Sequence, residues 1–166
     1  MRNNVSKFPM SDIVFCESGR VFCRANKIML PVDGSEGSAR AATVAFEVAE
    51  LTQSKVFVIH VVPTSLVEQF AYISETKYDE LLKKYNNKGH WLLKGYKEAA
   101  EEYGLEIETI LEEGLPSERI IRSARKHEVD LIVVGAQGAS GQKRAGMGST
   151  TERVVLGAHC TVIVAK

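Results

Sequence analysis

The sequence predicts an α/β fold: an open five-stranded, mostly parallel sheet with helices on both faces. Three observations predict it. Short β-branched runs alternate with longer amphipathic stretches along most of the chain. Four of the five runs are nearly continuous in apolar residues, as in strands buried on both faces. The resulting order, β-α-β-α-β-α-β-α-β, favours parallel pairing through right-handed crossovers.

The elements follow in chain order. Residues 1–26 stand outside the alternation as an N-terminal extension. In it Ile13-Val14-Phe15-Cys16 and Val21-Phe22-Cys23 flank Glu17-Ser18-Gly19-Arg20, a hairpin pattern. It reads equally as an edge ribbon, an interface arm or a flexible extension. Residues 27–166 form the domain. Strands are expected at 27–32, 55–62, 105–111, 130–135 and 161–165. The third, Leu105-Glu106-Ile107-Glu108-Thr109-Ile110-Leu111, alternates more than the others, which suits a strand nearer an edge.

Helices are expected at 38–52, 74–103, 116–127 and 149–157. The first has Ala41, Ala45, Val48 and Ala49 on one face. The second carries Tyr78, Leu81, Tyr85, Leu92, Tyr96, Ala99 and Tyr103 at helical spacings, with Asn86-Asn87-Lys88-Gly89 as a weak point for a kink or break. Its tyrosines and Trp91 fit a buried stripe better than a stacking platform. Gly104 follows as a C-cap glycine. Pro116-Ser117-Glu118 opens the third helix, with Ile120, Ile121 and Ala124 inward.

Composition narrows the function. The chain has 166 residues, 45% apolar and 25% charged, enough for a core without metals or disulfides. Lys+Arg and Asp+Glu are both 21, so there is no basic excess to suggest a nucleic-acid partner. No run is long and apolar enough for a membrane span, and the charged N-terminus does not read as a secretory signal. Cys16, Cys23 and Cys160 make no disulfide framework or zinc spacing, and read as small buried apolar residues. The expected compartment is the cytoplasm.

Open α/β sheets bind ligands beyond the carboxyl ends of their strands. After the first strand come Asp33-Gly34-Ser35, and after the fourth comes a segment with five glycines in the fourteen residues from Gly135 to Gly148. Glycines let the backbone approach a ligand closely, and successive amides can form an anion-binding nest. Gly148-Ser149-Thr150 begins the last helix, where unpaired N–H groups and the helix dipole suit a phosphate. Lys143 and Arg144 lie within reach of an outer phosphate. Composition alone leaves two readings open, this cradle and a glycine-rich surface loop with Ser149 as an ordinary N-cap.

Spacing points further. Gly135-x2-Gly138-x9-Gly148-Ser149 resembles the G-x2-G-x9-G-(S/T) pattern of ATP-binding universal stress proteins. Ile28 through Ser35, Ile59-His60-Val61, Gly114-Leu115-Pro116 and Asp130 through Gly135 resemble other segments of that family, so the match covers about 27–166. The resemblance implies a Rossmann-like sheet in the order 3-2-1-4-5 and a nucleotide-binding domain. It implies that Asp33 lies at an adenine pocket and that the Val61 backbone contacts adenine. Gly135 falls on the ribose side, and Gly138, Gly148 and Ser149 contact phosphate, with Thr150 following. Pro31, Val32 and Gln137 complete the implied binding residues, with ATP, alone or with Mg²⁺, as the cofactor. The sequence departs from the family at Cys160-Thr161-Val162, where Cys-Pro-Val is usual, and in its longer N-terminus.

Other features read more plainly. His60, inside an apolar run, is expected to be a hydrogen-bonded packing residue, and Lys83, Lys84 and Lys88 a solvated face. There is no G-x4-G-K-[ST] and no G-x-G-x-x-G after the first strand. Three functions stay open: a module signalling by its nucleotide-bound state in a stress response, a slow ATPase or nucleotidyl-transfer enzyme, and a nucleotide-free scaffold. The resemblance also implies a homodimer, for which Thr161-Val162-Ile163-Val164-Ala165 is an apolar edge that pairing would cover.

Overall fold

The computed structural model describes residues 25–139 and 146–166. The expected hairpin at 13–23, Cys16 and Cys23, and the loop cations Lys143 and Arg144 all lie outside the described residues.

In chain order the elements are β1 (Lys27–Pro31), α1 (Glu36–Thr52), β2 (Lys55–Val62), α2 (Thr64–Ile73), α3 (Tyr78–Glu102), β3 (Ile107–Glu113), α4 (Pro116–Lys126), β4 (Leu131–Gly135), α5 (Ser149–Gly157) and β5 (Thr161–Ala165). All strand pairs are parallel, in the order β3-β2-β1-β4-β5, as expected. The apolar runs explain the centre of the sheet. Ile28, Met29, Leu30, Val56, Val58 and Ile132 are fully buried, because both faces of these strands are covered.

Two cores follow from strand alternation. On one face Ile28, Leu30, Val56, Val58, Leu131 and Val133 pack against α1 and against Leu93 and Ala100 of α3. On the other, Met29, Phe57, Ile59, Ile132 and Val134 pack against Ile120 and Ala124 of α4 and Val154 of α5. Strand β3 is an edge, and its alternation reflects that position. It begins two residues later than expected and runs to Glu113, because Glu112 and Glu113 still pair with Val61 and Val62.

Three expectations are corrected. First, α2 was not expected. Its segment shows little one-sided pattern, since Val67 is buried while Leu66, Phe70, Tyr72 and Ile73 are exposed. Second, α3 is continuous through Asn86-Asn87-Lys88-Gly89. Gly89 is there for close approach: a Cβ would sit 2.6 Å from Leu111 Cδ1 and 2.8 Å from His60 Cδ2. The helical cost of glycine, about 1 kcal/mol, is offset by packing α3 tightly onto β2 and β3. Third, Trp91 is 77% exposed and belongs to no buried stripe. The buried face of α3 is carried by Gly89, Leu93 and Ala100, with Ala100 rather than Ala99 inward. Gly104 does cap α3, at φ 64°, with its N–H donating to Glu101 O.

Cys160 is a half-buried free thiol just before β5. Burial raises its pKa, and the charge of Asp130 adds to that. Its side chain packs against the second core, as expected of a small buried apolar residue.

Candidate site at the carboxyl ends of β1 and β4

Strand β1 lies between β2 and β4: the connection leaving it runs to β2 on one side, and the connection leaving β3 crosses back to β4 on the other. Such a switch point places a candidate ligand site at the carboxyl ends of β1 and β4. The residues that form it come from three places: the turn after β1, the start of α1, and the glycine-rich segment between β4 and α5.

The turn after β1 is built by Asp33. Its Oδ1 accepts from Ser35 N–H at 3.0 Å, closing an Asx turn in which Gly34 takes φ 81°. Its Oδ2 accepts from Ala139 N–H at 2.7 Å, beyond β4. One carboxylate thus straps together two loops 106 residues apart in sequence. Ser35 then N-caps α1, its Oγ accepting from Ser38 N–H at 3.1 Å. Ser38 Oγ donates to Ser35 O at 2.9 Å, so the 3.3 Å contact with Tyr96 must be a bond donated by the tyrosine. Burial raises the Tyr96 pKa; the Ser38 bond opposes this shift and the charge of Asp33 reinforces it. Tyr96 therefore remains a donor at neutral pH. Through it and Leu92, which lies 3.8 Å from where a Gly34 Cβ would be, α3 touches the β1 turn.

The glycines show how tightly α1 meets the β4 end. A Cβ on Gly37 would lie 2.1 Å from Gln137 O, and one on Gly135 would lie 2.5 Å from the Gly37 carbonyl carbon. A Cβ on Gly138 would lie 2.5 Å from Asp33 Oδ2. At Gly37 and Gly135 backbone meets backbone, and at Gly138 backbone meets the Asp33 carboxylate, because no glycine side chain intervenes.

The far end of the segment is braced as well. Gly148 N–H donates to Ala136 O at 2.8 Å, and Gln137 Nε2 donates to Gly146 O at 3.2 Å. Thr151 Oγ1, buried, donates to Gly135 O at 2.7 Å. The N-cap of α5 is Gly148 with no side-chain bond, so Ser149 is not the ordinary N-cap of the alternative reading. Ser149 is the first helical residue and exposed, and Thr150 is half-buried. The first amides of a helix lack intrahelical acceptors. They form the positive pole of the α5 dipole.

The structure therefore brings Asp33, Gly135, Gln137, Gly138 and Gly148 into one connected loop system, with Ser149 and Thr150 at its edge. Pro31 and Val32 are buried at the end of β1, with Val32 N–H bonded to Ile59 O at 2.9 Å. Extending the β1–β2 register from Pro31↔Ile59 puts Val61 level with Asp33. His60 holds this edge, its Nδ1 lying 2.8 Å from Val32 O, in keeping with the expected packing role. Sequence reasoning missed Gly37, Ser38, Tyr96 and Thr151. The cluster Ser35-Glu36-Gly37-Ser38 was a signal for the first two, because small residues at a helix start admit close approach. Thr151 and Tyr96 carried no such signal. Among the described residues no three His, Cys, Asp or Glu side chains group as a metal site. No helix among them is long and apolar enough to cross a membrane.

Comparison with known proteins agrees with this architecture. The profile of the universal stress protein family matches residues 25–166. The chain is 41% identical over 141 residues to universal stress protein MJ0531 of Methanocaldococcus jannaschii, covering 84% of this chain and 81% of that one. Among solved structures, universal stress protein UspA from Lactobacillus plantarum superposes with a TM-score of 0.75 at 29% identity, covering 86% of this chain and 99% of that chain. Two more distant proteins share the fold. One is a universal stress protein in complex with cAMP (20% identity, TM-score 0.64, 85% and 96% covered). The other is an Arabidopsis thaliana family member with AMP bound (21% identity, TM-score 0.60, 85% and 91% covered).

Proposed function

This chain belongs to the universal stress protein family, and from that premise we propose that it is a stress-response module that binds an adenine nucleotide, ATP, and signals by its bound state. The observation that carries the reading is the Asp33–Ala139 strap beside Gly138. It ties the two loops of the switch point together beside Gly148, the N-cap of α5. The first amides of α5 suit phosphoryl oxygens, and the exposed Ser149 hydroxyl adds a donor. Two proteins of the same fold hold cAMP and AMP, so the architecture accommodates an adenine nucleotide. In this reading Pro31, Val32, Asp33 and Val61 line the base side and Gly135 and Gln137 the ribose side. Gly138, Ser149 and Thr150 meet the phosphates, while Gly148 braces the loop through its bond to Ala136. ATP would supply the anionic charge for these donors, and Mg²⁺, where bound, would offset part of it.

Titration calorimetry of the purified chain with ATP tests this. Binding is expected, with turnover negligible over the same hours. Gly138→Val, which pushes a side chain into the Asp33 carboxylate, is expected to weaken binding by roughly tenfold or more, about 1.4 kcal/mol. No binding by the folded wild type, or an unchanged affinity in Gly138→Val, refutes the reading.

We further propose a homodimer through β5. The two edges of the sheet differ. Along β3 stand Glu108, tied to Lys55 at 2.9 Å, and Glu112 and Glu113, all charges that discourage edge pairing. Strand β5 has no charged residue, and its Val162, Ile163 and Val164 are only half-buried. Hydrogen exchange should find the β5 amides protected at high protein concentration and faster on dilution. Exchange independent of concentration would argue against the pairing.

A further inference from the structure

We propose that the outward face of α3 is a self-complementary docking surface for a second copy of this chain, packed antiparallel, with Trp91 as its anchor. The face is defined by spacing. Lys84, Lys88, Trp91, Gly95, Glu98 and Glu102 follow one another at intervals of four and three residues, and all are exposed. They form one seam along a helix of 25 residues, on the side away from the buried Leu93 and Ala100.

Three observations on this seam have no explanation among the described residues. Trp91 is 77% exposed on an ordered helix, where a tryptophan of this exposure is an unusual loss of buried area. Gly95 weakens the helix relative to alanine, yet among the described residues nothing lies within 4 Å of where its Cβ would be, so no contact among them requires it. Beyond an acidic first turn of Asp79 and Glu80, the charges are segregated along the helix. Lys83, Lys84 and Lys88 fill the N-terminal half, and the C-terminal end carries Glu98, Glu101 and Glu102 with no basic residue in the last turn. Among the described residues, Lys83, Lys84 and Lys88 have no ion-pair partner. They line a shallow cleft of about 470 Å³ with Glu80, Asn87 and Trp91.

An antiparallel second copy resolves all three at once. The seam is symmetric about the level of Leu93. Turning one helix end for end sets Trp91 opposite the partner's Gly95, Lys88 opposite the partner's Glu98, and Lys84 opposite the partner's Glu102. The large ring then meets the residue that has no side chain. The lysine cleft receives the acidic end of the other helix, and the two macrodipoles oppose. Glu98 already makes a 3.5 Å pair with Lys94 of its own helix and would be shared between the two lysines. The contact is isologous, so each pairing occurs twice. It uses a different element from β5, and the two contacts can be broken separately.

The chain holds a single tryptophan, which makes the test direct. Sedimentation across micromolar concentrations, read together with Trp91 emission, is expected to show association and a blue shift of the emission in step. Trp91→Ala and Gly95→Glu, both at exposed positions, should weaken this association at least tenfold while leaving β5 exchange unchanged. Lys84→Glu should weaken it, and Lys84→Glu combined with Glu102→Lys should restore it. Emission that stays constant with concentration, variants that associate like wild type, or a charge swap that fails to restore association each overturns the proposal.

Discussion

Gly37→Ala is expected to lower the stability of the folded chain by about 1–3 kcal/mol or more, the range for forcing a methyl group into a filled space. For a domain of this size that is a fall in Tm of roughly 2–12 °C. The reason is local and severe. The new Cβ would lie 2.1 Å from the Gln137 carbonyl oxygen and 3.3 Å from its carbon, and backbone cannot swing aside as the end of a flexible side chain can. Either α1 lifts off the end of β4 or the β4 loop moves outward, and both shifts pull on the Asp33–Ala139 bond. Affinity for ATP should therefore fall with stability. Gly135→Ala acts on the same contact from the other side, with its Cβ 2.5 Å from the Gly37 backbone. Because the two glycines share one interface, the double variant should cost less than the sum of the singles. Thermal unfolding checks all three proteins. A Gly37→Ala protein that melts within a degree of wild type would show that α1 does not meet the β4 loop this closely.

How far the sequence reveals this arrangement depends on what each residue had to signal. Strands β1, β2 and β4 were legible because burial on both faces leaves an apolar run, and β3 announced its edge by alternating. The carboxyl ends of β1 and β4 followed from topology once the strands were placed. Helix α2 was not legible, because the apolar side chains of its 64–73 segment are mostly exposed and give no one-sided stripe. The continuity of α3 through Gly89 was hidden for a different reason. Its stability comes from Leu111 and His60 on distant strands, which local propensity cannot report. Trp91 misled because a tryptophan in a helix is ordinarily assigned to a core, and only the packed structure shows which side of α3 faces outward. Within the site, glycine spacing found Gly135, Gly138 and Gly148. Gly37 escaped because its requirement comes from the opposite loop, a contact between chain segments about a hundred residues apart.

Asp33 is where sequence and structure ask different things of one residue, and its variants separate them. The family resemblance puts Asp33 at the adenine pocket, where a carboxylate could read the base. In the structure both of its oxygens accept backbone amides, Ser35 N–H at 3.0 Å and Ala139 N–H at 2.7 Å. Asparagine cannot replace it in that duty. It has one acceptor oxygen, and its NH₂ would face the second amide as donor against donor. Asp33→Asn is therefore expected to behave like Asp33→Ala. Each should lower stability by about 1 kcal/mol, at the low end for charge-assisted bonds because the carboxylate is exposed. Each should also speed hydrogen exchange at Ala139 relative to the strand amides of β4. The nucleotide data then discriminate between the roles. A strap shapes the site for any nucleotide, so both variants should weaken ATP and GTP by the same factor, roughly tenfold or more. A base reader would be lost for adenine alone. If Asp33→Asn leaves Ala139 exchange untouched and weakens ATP while sparing GTP, the carboxylate reads the base and the strap is incidental.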